Sequence, residues 1–117
     1  MSDFQPAQRF TLSAVPPGVN SMYYNAPGRG RVRTKEYAAW SENARWEIQA
    51  QRPKKIDGPV VVEVEVYRTR ANRDVDGPLK PLLDAMTGLV YADDKQVAEV
   101  TIRWADVEGV VLRVRPA

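Results

Sequence analysis

Two pairs of aspartates are the residues best suited to chemistry in this chain. Asp74 and Asp76 are separated by one residue, and Asp93 and Asp94 are adjacent. On an extended segment, Asp74 and Asp76 would point to the same side, roughly 7 Å apart at the backbone. They could then share one metal ion or hold two neighbouring ones. Three or four carboxylates meeting at one point repel strongly unless a cation sits among them. Hard oxygen ligands of this kind suit magnesium or manganese. Such an ion binds a phosphate oxygen, acidifies a bound water and offsets charge on a leaving oxygen. Lys80 follows one helical turn beyond Asp76, and can neutralise a phosphate oxygen or orient the attacking water. A bland reading stands beside this one. Asp76 is equally a helix cap, and Asp93 with Asp94 equally a polar turn.

Composition narrows the chemistry further. The chain of 117 residues contains no cysteine and no histidine. That excludes disulfides, thiolate zinc sites, cysteine nucleophiles, Ser–His hydrolases and HExxH metalloproteases. Catalysis must rest on carboxylates, lysine, tyrosine or a metal. Hydrophobic residues make up 44% and charged residues 27%, a balance that supports a folded core. The formal net charge is only +2, but the arginines are clustered. Arg29, Arg31, Arg33 and Lys35 form one group, and Arg68, Arg70 and Arg73 another. Two basic patches on a nearly neutral protein point to a polyanionic partner or, more plainly, to solvated loops. No apolar run is long enough to span a bilayer, and the start of the chain lacks signal-peptide character, so a soluble cytoplasmic protein is expected.

The elements that must position these residues read as follows. Residues 1–8 are a loose tail. Phe10, Leu12 and Ala14 alternate with polar neighbours as in a short strand, which Pro16, Pro17 and Gly18 end. Residues 18–33 read as a long loop. Thr34 is a suitable N-cap for a helix whose apolar stripe is Tyr37, Trp40, Ala44 and Ile48, with Trp46 off the stripe. Pro53 stops it, and Asp57 with Gly58 makes a turn. Val60, Val62, Val64 and Val66 mark the clearest strand. A second helix carries Leu79, Leu82, Leu83 and Met86 on one stripe, and Lys80, Asp84 and Thr87 on another face. Pro81 is compatible with its first turn only, so the helix starts near Pro78, and Gly88 suits its end. The far end of such a helix is about 15–20 Å from its start, so the acidic turn at Asp93 and Asp94 must lead back along the sheet to reach the first pair. Val100, Ile102 and Trp104, then Val110, Leu112 and Val114, give two last strands expected to pair as a hairpin. The predicted fold class is α+β. It is a single small domain over residues 1–117, with a mixed β-sheet of about four strands and two helices packed on it. The order is strand, helix, strand, helix, strand, strand.

Residues 73–97 carry a resemblance. Asp74-Val75-Asp76, then Lys80 on a helix, then Asp84-Ala85-Met86, then Asp93-Asp94-Lys95-Gln96-Val97 resemble the signature of the RusA family of Holliday junction resolvases. That signature runs Asp-x-Asp-Asn, a helical lysine, Asp-Ala-Leu, and an acidic pair followed by x-Gln-Val. The upstream part is similar too, with an early strand, prolines, Asn20, Tyr23 and Tyr24, an arginine-rich loop and a helix bearing an aromatic. The resemblance implies a homodimeric nuclease dependent on Mg2+, with Mn2+ able to substitute. Such an enzyme cuts opposed strands of a four-way DNA junction by paired nicks. It implies Asp74, Asp76 and Asp94 as catalytic metal-binding carboxylates, Asp93 as an adjacent or alternative metal ligand, and Lys80 as the catalytic lysine. Arg29, Arg31, Arg33, Lys35, Arg68, Arg70 and Arg73 become candidates for DNA-binding phosphate contacts. Tyr23 and Tyr24 are candidates for base stacking, or for packing their loop onto the core. One departure stands out: Gly77 replaces the family asparagine, which removes an amide that could support the carboxylates. A branched-DNA-binding protein without catalysis is the main alternative. A sugar-nucleotide transferase with its own Asp-x-Asp is a weaker one, since no nucleotide-binding βαβ unit is evident.

Overall fold

The computed structural model describes residues 7–68 and 74–117. The elements in order are β1 (Gln8–Leu12), a 3-10 turn (Val19–Ser21), β2 (Tyr23–Ala26), β3 (Gly30–Arg33), α1 (Lys35–Ala50), β4 (Val60–Tyr67), α2 (Leu79–Met86), a second 3-10 turn (Asp94–Gln96), β5 (Val97–Ala105) and β6 (Val110–Pro116). The strand, helix, strand, helix, strand, strand frame of the sequence is present. A small hairpin, β2–β3, is added to it. β1 begins at Gln8, just inside the stretch read as a tail. Among the described residues, no helix is long and apolar enough to cross a membrane.

Local sequence explains the element ends. The Thr34 hydroxyl accepts the Tyr37 N–H and caps α1. The stripe of Tyr37, Trp40, Ala44 and Ile48 is the buried face, while Trp46 is 72% exposed. α2 starts directly after Pro78, which places Pro81 in the first turn, where its missing N–H costs no helical bond. Gly88 follows with φ 85°, the left-handed conformation that ends helices.

The main sheet has the order β1-β6-β4-β5. β4 runs antiparallel to β6 and parallel to β5. The last two strands therefore do not pair with each other, contrary to the hairpin expected from their sequence. Burial decides the matter. β4 buries Val60, Val61, Val62, Val64 and Val66, whereas β5 is mostly exposed. The most apolar strand takes the centre and separates β5 from β6. A second correction follows from this order. β4, α2 and β5 form a parallel crossover, a βαβ unit that was not evident in the sequence. It lacks the glycine-rich first turn of nucleotide-binding units, which sets it apart from sugar-nucleotide enzymes.

One face of the sheet carries Phe10, Leu12, Leu112, Val62 and Val64 into the core, with Ile48, Leu82, Met86 and Tyr91 from the covering segments. The other face is polar. There Glu65 receives Arg103 from β5 and Arg113 from β6, both at 2.6 Å, so one carboxylate ties three strands together. The two guanidinium groups hold the Glu65 carboxyl below the usual carboxylate range.

The packing makes a stability prediction. Ile48 is fully buried between α1 and the sheet. Ile48→Ala is expected to lower unfolding free energy by about 2–5 kcal/mol. Urea denaturation would show this as a lower midpoint with an unchanged slope.

Candidate functional site

The crossover delivers the acidic residues. Asp74 and Asp76 follow the carboxyl end of β4 and precede α2, while Asp93 and Asp94 lie between α2 and β5. The first pair is not on an extended segment. Residues 75–78 form a turn, in which Gly77 N–H donates to the Asp74 carbonyl at 3.2 Å and Leu79 N–H to the Asp76 carbonyl at 3.0 Å. A Cβ on Gly77 would lie 3.3 Å from the Asp74 carbonyl oxygen. Glycine thus lets this turn close tightly, which gives the departure from the family asparagine a local steric reason. Asp76 does not cap α2 with its side chain, since no side-chain cap is present there.

A cleft of about 880 Å³ opens beside this turn. It is lined by residues 15–22 together with Glu36, Asp74, Asp76, Gly77 and Lys80. Lys80 is the link between the two acidic segments. Its Nζ donates to Asp94 Oδ2 at 2.8 Å and contacts Asp84 Oδ1 at 2.9 Å. The structure thus brings Asp74, Asp76 and Lys80 onto one cleft and joins Asp94 to it through Lys80.

The second acidic pair divides its work. Asp93 Oδ1 accepts the Lys95 N–H at 2.9 Å and caps the short turn that follows. Gln96 Oε1 accepts from the backbone of Ala92 and Asp93, and its Nε2 donates to the carbonyls of Ile56 at 2.9 Å and Gly58 at 2.8 Å. Gln96 therefore pins the acidic turn to the segment entering β4. Tyr91, fully buried, donates its hydroxyl to the Leu83 carbonyl of α2, and burial pushes its pKa up. These two anchors leave the Asp94 carboxylate facing Lys80.

Electrostatics follow from the contacts. The Lys80 ammonium holds the Asp94 carboxyl below the usual range, and Asp94 with Asp84 raises the Lys80 pKa. Both contacts favour the charged form of Lys80. Among the described residues, no group of three acidic side chains converges closely enough to hold a metal ion. Two carboxylates on one wall still suit magnesium. That ion keeps several waters and takes one or two carboxylates together with phosphate oxygens. Asp74 and Asp76 offer that donor set.

The basic residues fall into two groups. Residues 18–33, read as a loop, hold a 3-10 turn and the β2–β3 hairpin, with Gly28 and Gly30 at φ 73° and 72° turning the chain. Arg31 lies over the Tyr23 ring at 4.2 Å and Arg33 over the Tyr37 ring at 4.7 Å. Tyr23 itself packs edge-on to Tyr37 with centroids 5.6 Å apart. Tyr23 is thus a packing residue, and Tyr24, 49% exposed, is the one of the pair with a free face. Arg29 sits in the hairpin turn, and Lys35 opens α1. Thr34 binds the hairpin to the cleft rim, its N–H donating to the Met22 carbonyl and its hydroxyl to the Ser21 carbonyl. Arg68 lies at the end of β4, with its guanidinium 6.0 Å from the Trp104 ring centre. Arg70 and Arg73 lie outside the described residues.

Three contributors were missed in the sequence. Glu36 lies in the first turn of α1, where an acidic residue is ordinary and gives no sign of a site. Asp84 shared a helical face with Lys80, which was the available signal. Gln96 was part of the quoted motif, but its polar spacing to Asp93 gave no hint of the carbonyls it reaches.

The ion pair yields a titration prediction. A carboxyl with a depressed folded pKa stabilises the fold above the ordinary carboxylate range, and that contribution is lost as pH falls through the depressed value. In Lys80→Ala, the Asp94 carboxyl carbon should titrate at a higher pH than in the parent protein, back toward the ordinary carboxylate value. A 13C NMR pH titration reads this directly.

Against known families, residues 14–115 match the one described as Endodeoxyribonuclease RusA. No curated protein matches the chain.

Proposed function

Because the chain belongs to the RusA family of Holliday junction-resolving endodeoxyribonucleases, we propose that it cuts four-way DNA junctions by magnesium-dependent phosphodiester hydrolysis, as a homodimer placing paired nicks in opposed strands. The observation that carries the reading is the cleft holding Asp74, Asp76 and Lys80, with Lys80 bonded to Asp94. Asp74 and Asp76 would hold Mg2+, with Mn2+ as a substitute; Asp94, tied to the cleft through Lys80, and Asp93 beside it are the further candidate ligands. When bound, the ion supplies a Lewis acid for a phosphate oxygen and an acidified water.

The chain's own groups do the rest. Lys80, held upright between Asp84 and Asp94, offers a permanent positive charge to a scissile phosphate in the cleft. As a phosphate enters, its negative charge competes with the two aspartates for that ammonium. Asp94 is then freed toward the cleft. Arg29, Arg31, Arg33, Lys35 and Arg68 neutralise flanking phosphates, and Arg70 and Arg73 extend this set. These contacts position the junction without reading its sequence. Tyr24 offers a stacking face for an unpaired base at the branch point. A DNA substrate of this kind is met in the cytoplasm.

The test uses a synthetic four-way junction. Asp76→Asn is expected to cut at least 100-fold more slowly while binding the junction as tightly as, or more tightly than, the parent, because a ligand and a repelling charge go together. Wild-type cutting should vanish with a chelator and return with Mg2+ or Mn2+. Junction binding without nicking at any metal concentration would instead identify the protein as a branched-DNA binder. Binding should also weaken steeply with salt, with about one unit lost from the log–log slope for each phosphate-contacting arginine removed. Equilibrium titrations of Arg31→Ala and Arg68→Ala at several salt concentrations measure this slope. A flat salt response would discard the arginine assignment.

A further inference from the structure

The two edges of the main sheet are treated differently. The β1 edge is closed by side-chain amides. Gln51 accepts the Thr11 N–H and donates to the Thr11 carbonyl, both at 2.9 Å, as a neighbouring strand would. The Gln8 side chain also ties β1 to the Lys54 backbone, donating to its carbonyl at 2.7 Å and accepting its N–H at 2.8 Å, and Glu47 accepts the Ser13 N–H just past the strand. The β5 edge has no such cover. β5 spans nine residues, pairs with β4 on one side only, and faces no other strand among the described residues. An open strand of this length is a template for another strand.

Its side chains say which strand fits. Val100, Ile102 and Trp104 lie on the core side of the sheet. Val100 is 37% exposed, and Ile102 and Trp104 are only partly covered. Glu99, Thr101 and Arg103 lie on the polar side. If β5 meets a copy of itself antiparallel about Thr101, Glu99 falls opposite Arg103 of the partner subunit, and Val100 opposite Ile102 of the partner subunit. Opposite charges directly across an antiparallel pair stabilise it, and like charges destabilise it. Arg103 binds Glu65 through Nε and Nη2, so its Nη1 remains available, and the Glu99 side chain has no partner among the described residues.

We propose that two copies of this chain pair through β5 about a two-fold axis at Thr101, giving one continuous eight-stranded sheet. This rests on the homodimer of the proposed function and adds the surface that makes it. A two-fold axis perpendicular to the sheet keeps the helices of both copies on one face. Both clefts then open on the same side, where a single junction can reach them.

Sedimentation equilibrium and cysteine crosslinking test the surface. The chain has no cysteine, so single substitutions report cleanly. Thr101→Cys is expected to form a disulfide-linked dimer under mild oxidation, and Thr11→Cys on the closed edge is not. Glu99→Arg should raise the dimer dissociation constant at least tenfold, and Glu99→Arg combined with Arg103→Glu should restore it. A wild-type monomer at 100-micromolar-scale concentration, a dimer that Thr101→Cys fails to link, or a charge swap that fails to rescue would each overturn the proposal. The nuclease reading fails separately. A dimer linked through position 101 that never cuts a junction removes only the catalysis, and a monomer that cuts removes this interface and the homodimer while leaving the metal-dependent cutting in place.

Discussion

The double burial of β4 is the constraint on which the other features depend. Its valines fill the core on one side, Val61 and the Glu65 clamp occupy the other, and both of its edges are paired. A strand so placed can only be central. Because it lies between them, β5 and β6 do not pair with each other, and the chain crosses from β4 to β5 over α2. That crossing places one acidic segment before α2 and the other after it. The juxtaposition of the two is a consequence of where the most apolar strand goes.

Charge balance completes the arrangement. Several carboxylates gathered near one cleft would repel, and an ammonium group from the same chain answers part of that repulsion. Lys80 sits at 2.8–2.9 Å from two of them. The resting site is therefore organised around a covalently attached cation that is mostly exposed, with its side chain 69% accessible. An exposed pair is weakly held and screened by salt. Such a contact can be exchanged for a phosphate at small cost, whereas a deeply buried pair could not.

Much of this was legible in the sequence, and the reasons are specific. The helix stripe of Tyr37, Trp40, Ala44 and Ile48, the Thr34 cap and the Val60 to Val66 alternation each depend on local periodicity, which a single chain displays. Asp74, Asp76, Lys80 and Asp94 were visible as residue types at telling spacings. What was hidden depends on distant partners. The β2–β3 hairpin has two four-residue strands with no fully buried side chain, so no alternation marks it. The parallel pairing of β4 with β5 is a choice between two neighbours for one strand, and local pattern has no bearing on that choice. The conformation around Asp74 and Asp76 was left open because Gly77 and Pro78 permit an extended form or the turn found at residues 75–78. Glu36 enters the site only because the start of α1 borders the same cleft as the start of α2.

The side chain of Gln51 has a consequence for solubility. A sheet with two open margins can recruit copies at both, and nothing then limits growth; the product is a fibre. By imitating a strand at Thr11, Gln51 seals one margin. Any self-association along the remaining margin is finite and ends with the second molecule. Gln51, with Glu47 at Ser13 beside it, thus leaves the main sheet one open margin instead of two.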